Sequence, residues 1–320
     1  MFQGIGINSD ESEIDGHLDR LERDLARAQR AGFDAYELAS EGCNVIRGGR
    51  LVHDELTRVK AILAGYPLQY TVHPPCTLRL SDGSEMHRQV FLRCLEFTAE
   101  IGASVMVYHS GQMALRHANH DISPLPDAAA LQKMWQIETQ QLNEMAAQAA
   151  QYGVVIGVEN RDPHLWELTA LARHGKSAAD LLTFHQGMRL DLLVQQVAEI
   201  SSPNVGICLD VGHAFLAAPY WPNPDYLAAV RQAAPWIKHL HFHDNFGRLD
   251  DRAESMHERL VFGEADNHMP PGWGAIPLAQ VLSILSDANY GGYVLVEVDS
   301  RYTDLLPEAL AATRAMISHI

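Results

Sequence analysis

The sequence predicts an α/β fold, a single-domain (β/α)₈ barrel over residues 1–320 with long loops after its strands. Short apolar segments alternate eight times with amphipathic ones, which is typical of parallel strands joined by helices. The length of 320 residues exceeds the roughly 250 of a typical barrel by an amount that long loops can supply. No segment rich in Ser, Pro or Gly divides the chain.

The eight predicted strands are short apolar segments, and the helices lie between them. The strands are Gln3–Ile7, Ala35–Leu38, Leu68–His73, Ser104–His109, Val154–Glu159, Val205–Asp210, Ile237–His243 and Tyr293–Val298. The helices are Asp15–Ala31, Asp54–Leu63, His87–Ile101, Asp127–Ala150, Leu190–Ile200, Asp225–Ala234, Pro277–Ala288 and Leu305–Ser318. An open, doubly wound sheet would use the same alternation, but Gly4 and Gly6 lie inside the first strand and not in a phosphate-binding loop after it. The closed barrel is therefore the better interpretation.

Composition and charge exclude several classes of protein. An apolar fraction of 47% with 20% charged residues is that of a globular chain, and no apolar run approaches the roughly 20 residues of a membrane helix. The first residues lack the layout of a signal peptide, so we expect a cytoplasmic protein. A formal charge of −16 argues against nucleic-acid and acidic-membrane partners. Four irregularly spaced cysteines predict neither a disulfide framework nor a Cys-rich zinc site.

Residues of the types that bind metals follow six successive predicted strands. In a barrel of this kind, side chains at the carboxyl ends of the strands meet at one mouth of the cylinder. A single His or carboxylate there is more often a hydrogen-bonded structural group, but the whole set at equivalent positions favours a shared site. These residues are His73, His109, Glu159, Asp210, His213, His239, His241, His243 and Glu297.

The alternation of side chains along a strand predicts which of these residues point into the barrel. In the seventh strand His239, His241 and His243 share one face, while Leu240 and Phe242 share the other and suit packing against helices. Several ionised carboxylates cannot crowd together in a partly dry site without a cation. We therefore expect a bound divalent metal, with His241 as its ligand, His239 deeper and His243 beside the ligands. Mixed His and carboxylate ligation favours zinc, manganese, cobalt or iron over copper and calcium.

Four motifs, in this order, resemble those of the xylose isomerase-like TIM-barrel superfamily. The superfamily contains sugar and sugar phosphate isomerases and epimerases, and the endonuclease IV type of abasic-site (AP) endonuclease. The motifs are Val158-Glu159-Asn160, Leu209-Asp210-Val211-Gly212-His213, His241-Phe242-His243-Asp244 and Val296-Glu297. The resemblance implies that Glu159, Asp210, His241 and Glu297 are the core metal ligands. The segment Asp266–Gly274 resembles the family's Asp-x-His-Leu-Pro-x-Gly-x-Gly loop.

The endonuclease branch has additional ligands with counterparts in this chain. By resemblance these are His73, His109, His213, Asp266 and His268. The expected cofactor is accordingly one to three divalent ions, with Mn, Zn, Co or Mg as candidates. Metal ligation has an alternative for each of two pairs of residues. For His73 and His109 the alternative is contact with the ligands or with the substrate. For Asp266 and His268 it is a pair that orders their loop.

The first functional hypothesis is an isomerase or epimerase that acts on a small sugar, sugar phosphate or polyol through an ene-diolate. Glu159 and Glu297 are the candidate base and acid, and His213 the group that polarises or protonates a substrate oxygen. The expected partner is a small polyhydroxy substrate, and a homo-oligomer is left open. Candidate substrate contacts, with simple loop packing as the alternative for the tryptophans, are Arg161, Arg248, Trp166, Trp273 and His243.

The alternative is a multinuclear metal-dependent phosphodiesterase, with an AP-endonuclease-like hydrolase as its extreme form. A multinuclear site is suited to phosphoester hydrolysis. The loop from Asp244 to Gly274 carries seven acidic residues against three arginines, which argues against a DNA substrate. A barrel that binds metal without turnover is a third possibility. The stretches His164–Met188 and Asp250–Asn267 are predicted to be irregular and to serve either as lids or as partner contacts.

Overall fold

The computed structural model describes residues 2–9, 11–115, 124–249 and 256–320. Eight parallel strands close into a barrel in which strands consecutive along the chain are neighbours, and Gly4 pairs with Tyr293 where the first strand meets the eighth. The closed-barrel prediction is confirmed. The barrel strands are Gly4–Asn8, Ala35–Ala39, Gln69–His73, Val105–His109, Val155–Glu159, Val205–Asp210, Ile237–Phe242 and Tyr293–Val296.

The eight predicted helices are present, with ends that differ by a few residues. The first begins at Leu18 and not at Asp15, because Asp15 and Gly16 have φ of 42° and 76°, which a right-handed helix cannot include. Asp127 caps the long helix that precedes the fifth strand by accepting a hydrogen bond from the backbone N–H of Ala130. Gly153, in the left-handed conformation, ends this helix. These helices are Leu18–Ala31, His53–Leu63, Glu85–Glu100, Ala128–Tyr152, Leu190–Ile200, Tyr226–Ala233, Leu278–Asp287 and Leu306–Ser318.

Shorter elements occupy the loops at the carboxyl end of the barrel. The expectation of irregular structure over His164–Met188 is wrong, because two helices form there, the first with a capping box between His164 and Glu167. Of the stretch Asp250–Asn267, residues 250–255 lie outside the described residues, and a helix follows directly. The shorter helices are Glu11–Ile14, Leu165–Arg173, Leu181–Phe184, Val211–Ala217 and Met256–Phe262, and a hairpin pairs Ile46–Arg47 with Arg50–Leu51.

The apolar core lies between the barrel and its surrounding helices. Leu240 and Phe242 of the seventh strand are fully buried in it, as the alternation predicts.

Strands seven and eight end at Phe242 and Val296, earlier than predicted, so His243 and Glu297 each begin a loop. All four cysteines are free. Within the described ranges, no helix combines the length and apolarity needed to cross a membrane.

Candidate functional site

Four side chains from the fifth to the eighth strands meet at the carboxyl end of the barrel. The Nδ1 atom of His241 lies 3.1 Å from Glu159 Oε1, 2.9 Å from Glu297 Oε2 and 3.8 Å from Asp210 Oδ2. The side chains of Glu159, Asp210 and His241 are fully buried. A divalent cation bound at about 2.0–2.2 Å by each ligand places the ligand atoms roughly 3–4 Å apart. The distances from His241 Nδ1 to the three carboxylates agree with this spacing.

Two carboxylates of this group, those of Glu159 and Glu297, are held in their ionised form. Burial raises the pKa of Glu159, but the imidazoles of His109 and His241 outweigh burial and lower it well below its usual range. Burial likewise lowers the pKa of His241, whereas Cys208 and the carboxylates of Glu297 and Glu159 raise it well above its usual range. The negative charge of the carboxylates thus demands a positive charge among them, which either bound protons or a bound cation can supply.

Two carboxylate oxygens in this group lack a hydrogen-bond donor. Glu159 Oε2 and Glu297 Oε2 are both buried and make no hydrogen bond. Imidazole nitrogens lie close to them, His109 Nε2 at 2.7 Å from Glu159 Oε2 and His241 Nδ1 at 2.9 Å from Glu297 Oε2, but without hydrogen-bond geometry. Buried oxygens without a donor are rare in proteins. Converging lone pairs of this kind are what a metal-binding site presents to its cation.

Backbone carbonyls fix the ring orientation of three of the histidines. Nδ1 of His73 lies 2.8 Å from the Pro74 oxygen, Nδ1 of His213 lies 3.0 Å from that of Asn160, and Nδ1 of His268 lies 3.2 Å from that of Glu297. A carbonyl oxygen only accepts, so each Nδ1 carries a proton and each Nε2 faces the site, where it either holds a second proton or binds a cation in its place. Metal-ligating histidines in proteins are usually held in this way.

Glu37 orients His241, and the sequence analysis missed it. Its Oε1 lies 2.9 Å from His241 Nε2 and its Oε2 lies 2.8 Å from His239 Nε2, while the Thr71 hydroxyl donates to Oε2 at 2.8 Å. By accepting the Nε2 proton of His241, Glu37 leaves the Nδ1 lone pair facing the other carboxylates. The available signal was a Glu in the otherwise uncharged buried strand Ala35–Ala39.

A second group of ligand-type atoms shares Glu159 with the first. Its Oε2 lies 2.7 Å from His109 Nε2 and 3.5 Å from His73 Nε2. Cys76 lies with these two histidines, the ligand atoms of all three being within 4.8 Å of one another. Burial raises the pKa of Cys76, but His109 and His73 lower it to about 7. Nothing in the spacing of the cysteines indicated this position.

A third group surrounds Asp266. Its Oδ2 lies 2.8 Å from His268 Nε2 and 3.3 Å from His213 Nε2. Burial lowers the pKa of His268, but Asp266 raises it to about 10. Asp244 holds this loop against the barrel, since its backbone exchanges two hydrogen bonds with Met269 at 2.9 and 3.0 Å. The Asp-x-His segment therefore returns to the mouth of the barrel despite the long insertion before it.

His243 links the first group to the third. It is buried, its Nε2 lies 3.0 Å from Asp210 Oδ1, and its ring stacks on His268 with centroids 4.0 Å apart. Gly212 makes room for it, because a Cβ atom there would lie 2.7 Å from His243 Nε2. Asp210 also accepts from the His213 backbone at 2.6 Å and so caps the following helix.

A cavity of about 270 Å³ opens over the three groups. Four carboxylates and four imidazoles contribute to its walls, and no lysine or arginine does so among the described residues. It is lined by Asn8, Ser9, Glu37, Ala39, Glu41, His73, Cys76, His109, His213, His268, Glu297, Val298 and Asp299.

The two arginines proposed as substrate contacts lie outside this lining. Arg161 is buried and donates from Nε to the Ser110 carbonyl at 2.6 Å and from Nη2 to the Cys76 carbonyl at 3.1 Å. Arg248 is exposed and donates to the Phe262 carbonyl at 3.3 Å. Both side chains hold loop backbone in place, and their contact with substrate stays a prediction.

The predicted tryptophans and His243 are also absent from the cavity walls. Trp166 is half-buried with its indole 5.5 Å from the ring of His164. Trp273 donates from Nε1 to Glu308 at 2.9 Å. The structure brings together all nine predicted metal-ligating residues, and His243 lies among them. Trp166 and Trp273 do not line the cavity, and a role of the three aromatic residues in substrate binding stays a prediction.

The protein is thus a (β/α)₈ barrel with acids and imidazoles that converge at its carboxyl mouth. Residues 25–319 match the family described as xylose isomerase-like TIM barrel, and the chain belongs to that family. An uncharacterised protein of Methanocaldococcus jannaschii is 24% identical over 87% of this chain and 78% of its own length. Fructoselysine 3-epimerase of Escherichia coli O157:H7 is 26% identical over 41% of this chain and 46% of its own length. The structure is also similar to that of a D-tagatose 3-epimerase-like protein, with a TM-score of 0.67, 21% identity and 99% of each chain covered.

Proposed function

We propose that this chain is a divalent-metal-dependent isomerase or epimerase that acts on a small polyhydroxy carbonyl compound through an ene-diolate. One observation carries the proposal: two carboxylates, Glu159 and Glu297, contact the same imidazole nitrogen of His241, and Glu297 lines a small cavity. The similarity to proteins named as 3-epimerases supports the same reaction class. The proposed cofactor is one to three ions of Mn, Zn, Co or Mg.

The two carboxylates divide the proton transfers between them. When bound, the cation polarises the substrate carbonyl and stabilises the negative charge that develops on its oxygen. Glu159 is fully buried and held ionised, so it suits removal of the carbon-bound proton. Glu297 projects from a different strand. Because its carboxylate is held ionised, it first takes up a proton from solvent and then delivers that proton to the opposite face of the carbon. His213 lines the cavity and is the candidate donor to a substrate oxygen.

The cavity favours an uncharged substrate over a phosphorylated one. A volume of about 270 Å³ lies just below the range of roughly 300–1,000 Å³ for pockets that hold drug-sized ligands, so a small sugar is of suitable size. The walls carry Glu37, Glu41, Glu297 and Asp299, and the described residues contribute neither lysine nor arginine to them. A sugar phosphate would bring further negative charge into this field without a guanidinium to pair it.

Deuterium exchange tests the proposal directly. The chelator-treated protein, reloaded with Mn²⁺ or Co²⁺, is incubated in D₂O with a panel of ketoses, polyols and inososes, and carbon-bound deuterium is measured by NMR. We expect incorporation at the carbon next to a carbonyl, together with the epimer or isomer. Glu159→Gln is the matched control and should incorporate deuterium about 10²–10⁴-fold more slowly. The absence of exchange across the whole panel would refute the proposal.

The second and third ligand groups favour one further candidate, a multinuclear metal-dependent phosphodiesterase. Glu159 and Asp266 each lie between two imidazole nitrogens beside the first group, which suits binding of more than one cation. Incubation of the metal-loaded protein with bis(p-nitrophenyl) phosphate and with abasic-site DNA separates the candidates. An isomerase leaves both substrates intact, whereas a hydrolase cleaves the first.

A further inference from the structure

Cys76 is placed against the histidines of the second group by the fold of its loop. It follows His73 by three residues, after Pro74 and Pro75. The backbone turns here, since the Leu78 N–H donates to the Pro75 carbonyl at 2.8 Å. Arg161 fixes the position of the loop by donating to the Cys76 carbonyl at 3.1 Å. The thiol is accessible from the cavity and is therefore open to an entering ion.

The neighbouring groups present lone pairs without donors. His73 donates from Nδ1 to the Pro74 carbonyl, so its Nε2 is the ring atom that faces the site, and that atom lies 3.5 Å from Glu159 Oε2. Glu159 is fully buried and its Oε2 has no hydrogen-bond donor, although His109 Nε2 lies at 2.7 Å. A buried carboxylate oxygen between two imidazole nitrogens requires a positive charge. The thiol of Cys76 lies within 4.8 Å of a ligand atom of each of these two histidines, so the thiol, the two imidazoles and the carboxylate oxygen offer four ligand atoms.

We propose that Cys76 is a thiolate ligand of a second cation, bound together with His73, His109 and Glu159 Oε2, and that this position prefers Zn²⁺. A Cys, His, His and carboxylate set is of the kind that binds four-coordinate zinc, and thiolate ligation disfavours Mn²⁺ and Mg²⁺. The first group, with three carboxylates and one imidazole, has no such preference. Glu159 is common to both positions, and in that respect the inference rests on the proposed function.

Cobalt spectroscopy tests the ligand directly. The full-length protein is stripped of metal and titrated with Co²⁺, alone and after one equivalent of Mn²⁺. We expect a near-ultraviolet sulfur-to-cobalt charge-transfer band in the wild type, which Cys76→Ser loses while visible cobalt absorption from the first group persists. Cys43→Ser, which alters a buried thiol outside the ligand groups, is the matched control and should keep the band. We expect the affinity for the second Zn²⁺ to fall by at least about 10–100-fold in Cys76→Ser.

Thiol alkylation provides a second measurement that does not depend on how the variants fold. Iodoacetamide is applied to the wild-type protein with and without Zn²⁺, and modification of Cys76 is followed by mass spectrometry. Protection of Cys76 by Zn²⁺ but not by Mg²⁺ supports the inference. Equal alkylation with and without Zn²⁺, or a cobalt-saturated wild type without the charge-transfer band, overturns it. Neither measurement uses catalysis, so a failed deuterium exchange would refute the proposed function and leave this result standing.

Discussion

Replacing Glu37 by Gln should weaken metal binding although Glu37 is not itself a ligand. Its two oxygens accept from His241 Nε2 at 2.9 Å and from His239 Nε2 at 2.8 Å. A glutamine offers one oxygen and one NH₂ group, so one of the two imidazoles faces a donor in place of an acceptor. Where that ring is His241, its proton moves to Nδ1 and blocks the lone pair that faces Glu159 and Glu297.

The size of this effect follows from the loss of one orienting contact. Loss of such a partner typically costs 10–100-fold in metal affinity, which is about 1.4–2.7 kcal/mol. Competition with a chromophoric chelator at fixed pH measures it. Glu138→Gln is the matched control, because Glu138 is an equally buried carboxylate that contacts Tyr108 and Gln112 and no site histidine. It should lower stability without changing metal affinity. A Glu37→Gln protein that binds metal as tightly as the wild type would contradict the role assigned to Glu37.

Three further variants probe the base, the packing and one ion pair. Glu159→Gln should reduce deuterium exchange by about 10²–10⁴-fold, because it removes the proposed base, and wild-type exchange rates would refute that role. Gly212→Ala should cost roughly 1–3 kcal/mol in urea unfolding by displacing His243, whereas Gly291→Ala, which has no atom within 4 Å of its Cβ, should cost far less. Burial raises the pKa of Glu167, but neighbouring imidazoles lower it to about 2 from 4.5. The ionised Glu167 therefore contributes about 3 kcal/mol to the free energy of unfolding above pH 4.5, and this contribution is lost as the pH falls toward 2. The unfolding free energies of wild type and Glu167→Gln should differ at pH 7 and converge in acid, and a constant difference contradicts this.

The barrel and its ligand groups were predictable because strand geometry is regular. Alternation along the seventh strand places Leu240 and Phe242 in the outer core and leaves His241 inside. Since parallel strands end at one mouth, Glu159 and Asp210 had to meet there once the strands were recognised. Their convergence therefore needed no knowledge of the loops.

Loop side chains were not predictable for the opposite reason. The position of Trp273 depends on hydrogen bonds that fold its loop, such as the one from the Gly272 N–H to Asp244 Oδ2 at 3.0 Å, and the indole then binds Glu308. Arg161 became a buried support of the Cys76 loop through two backbone carbonyls. Such contacts have no periodic signature in the sequence.

Short helices and single buried acids were missed for a related reason. Leu165–Arg173 has nine residues, too few for a clear apolar repeat, and it is fixed by the contacts of Glu167. Glu37 occupies a strand that ends in Ala39 and not in a ligand, so a search of strand ends passes over it. A search for charged residues inside apolar strands would have found it.

Anomalous diffraction from crystals of the Mn²⁺- or Zn²⁺-loaded protein is the most direct test of metal dependence, with elemental analysis of the same sample. We expect a peak within bonding distance of Glu159, Asp210, His241 Nδ1 and Glu297, and at least one ion per chain. A fully loaded crystal with no peak between these four side chains would contradict the account.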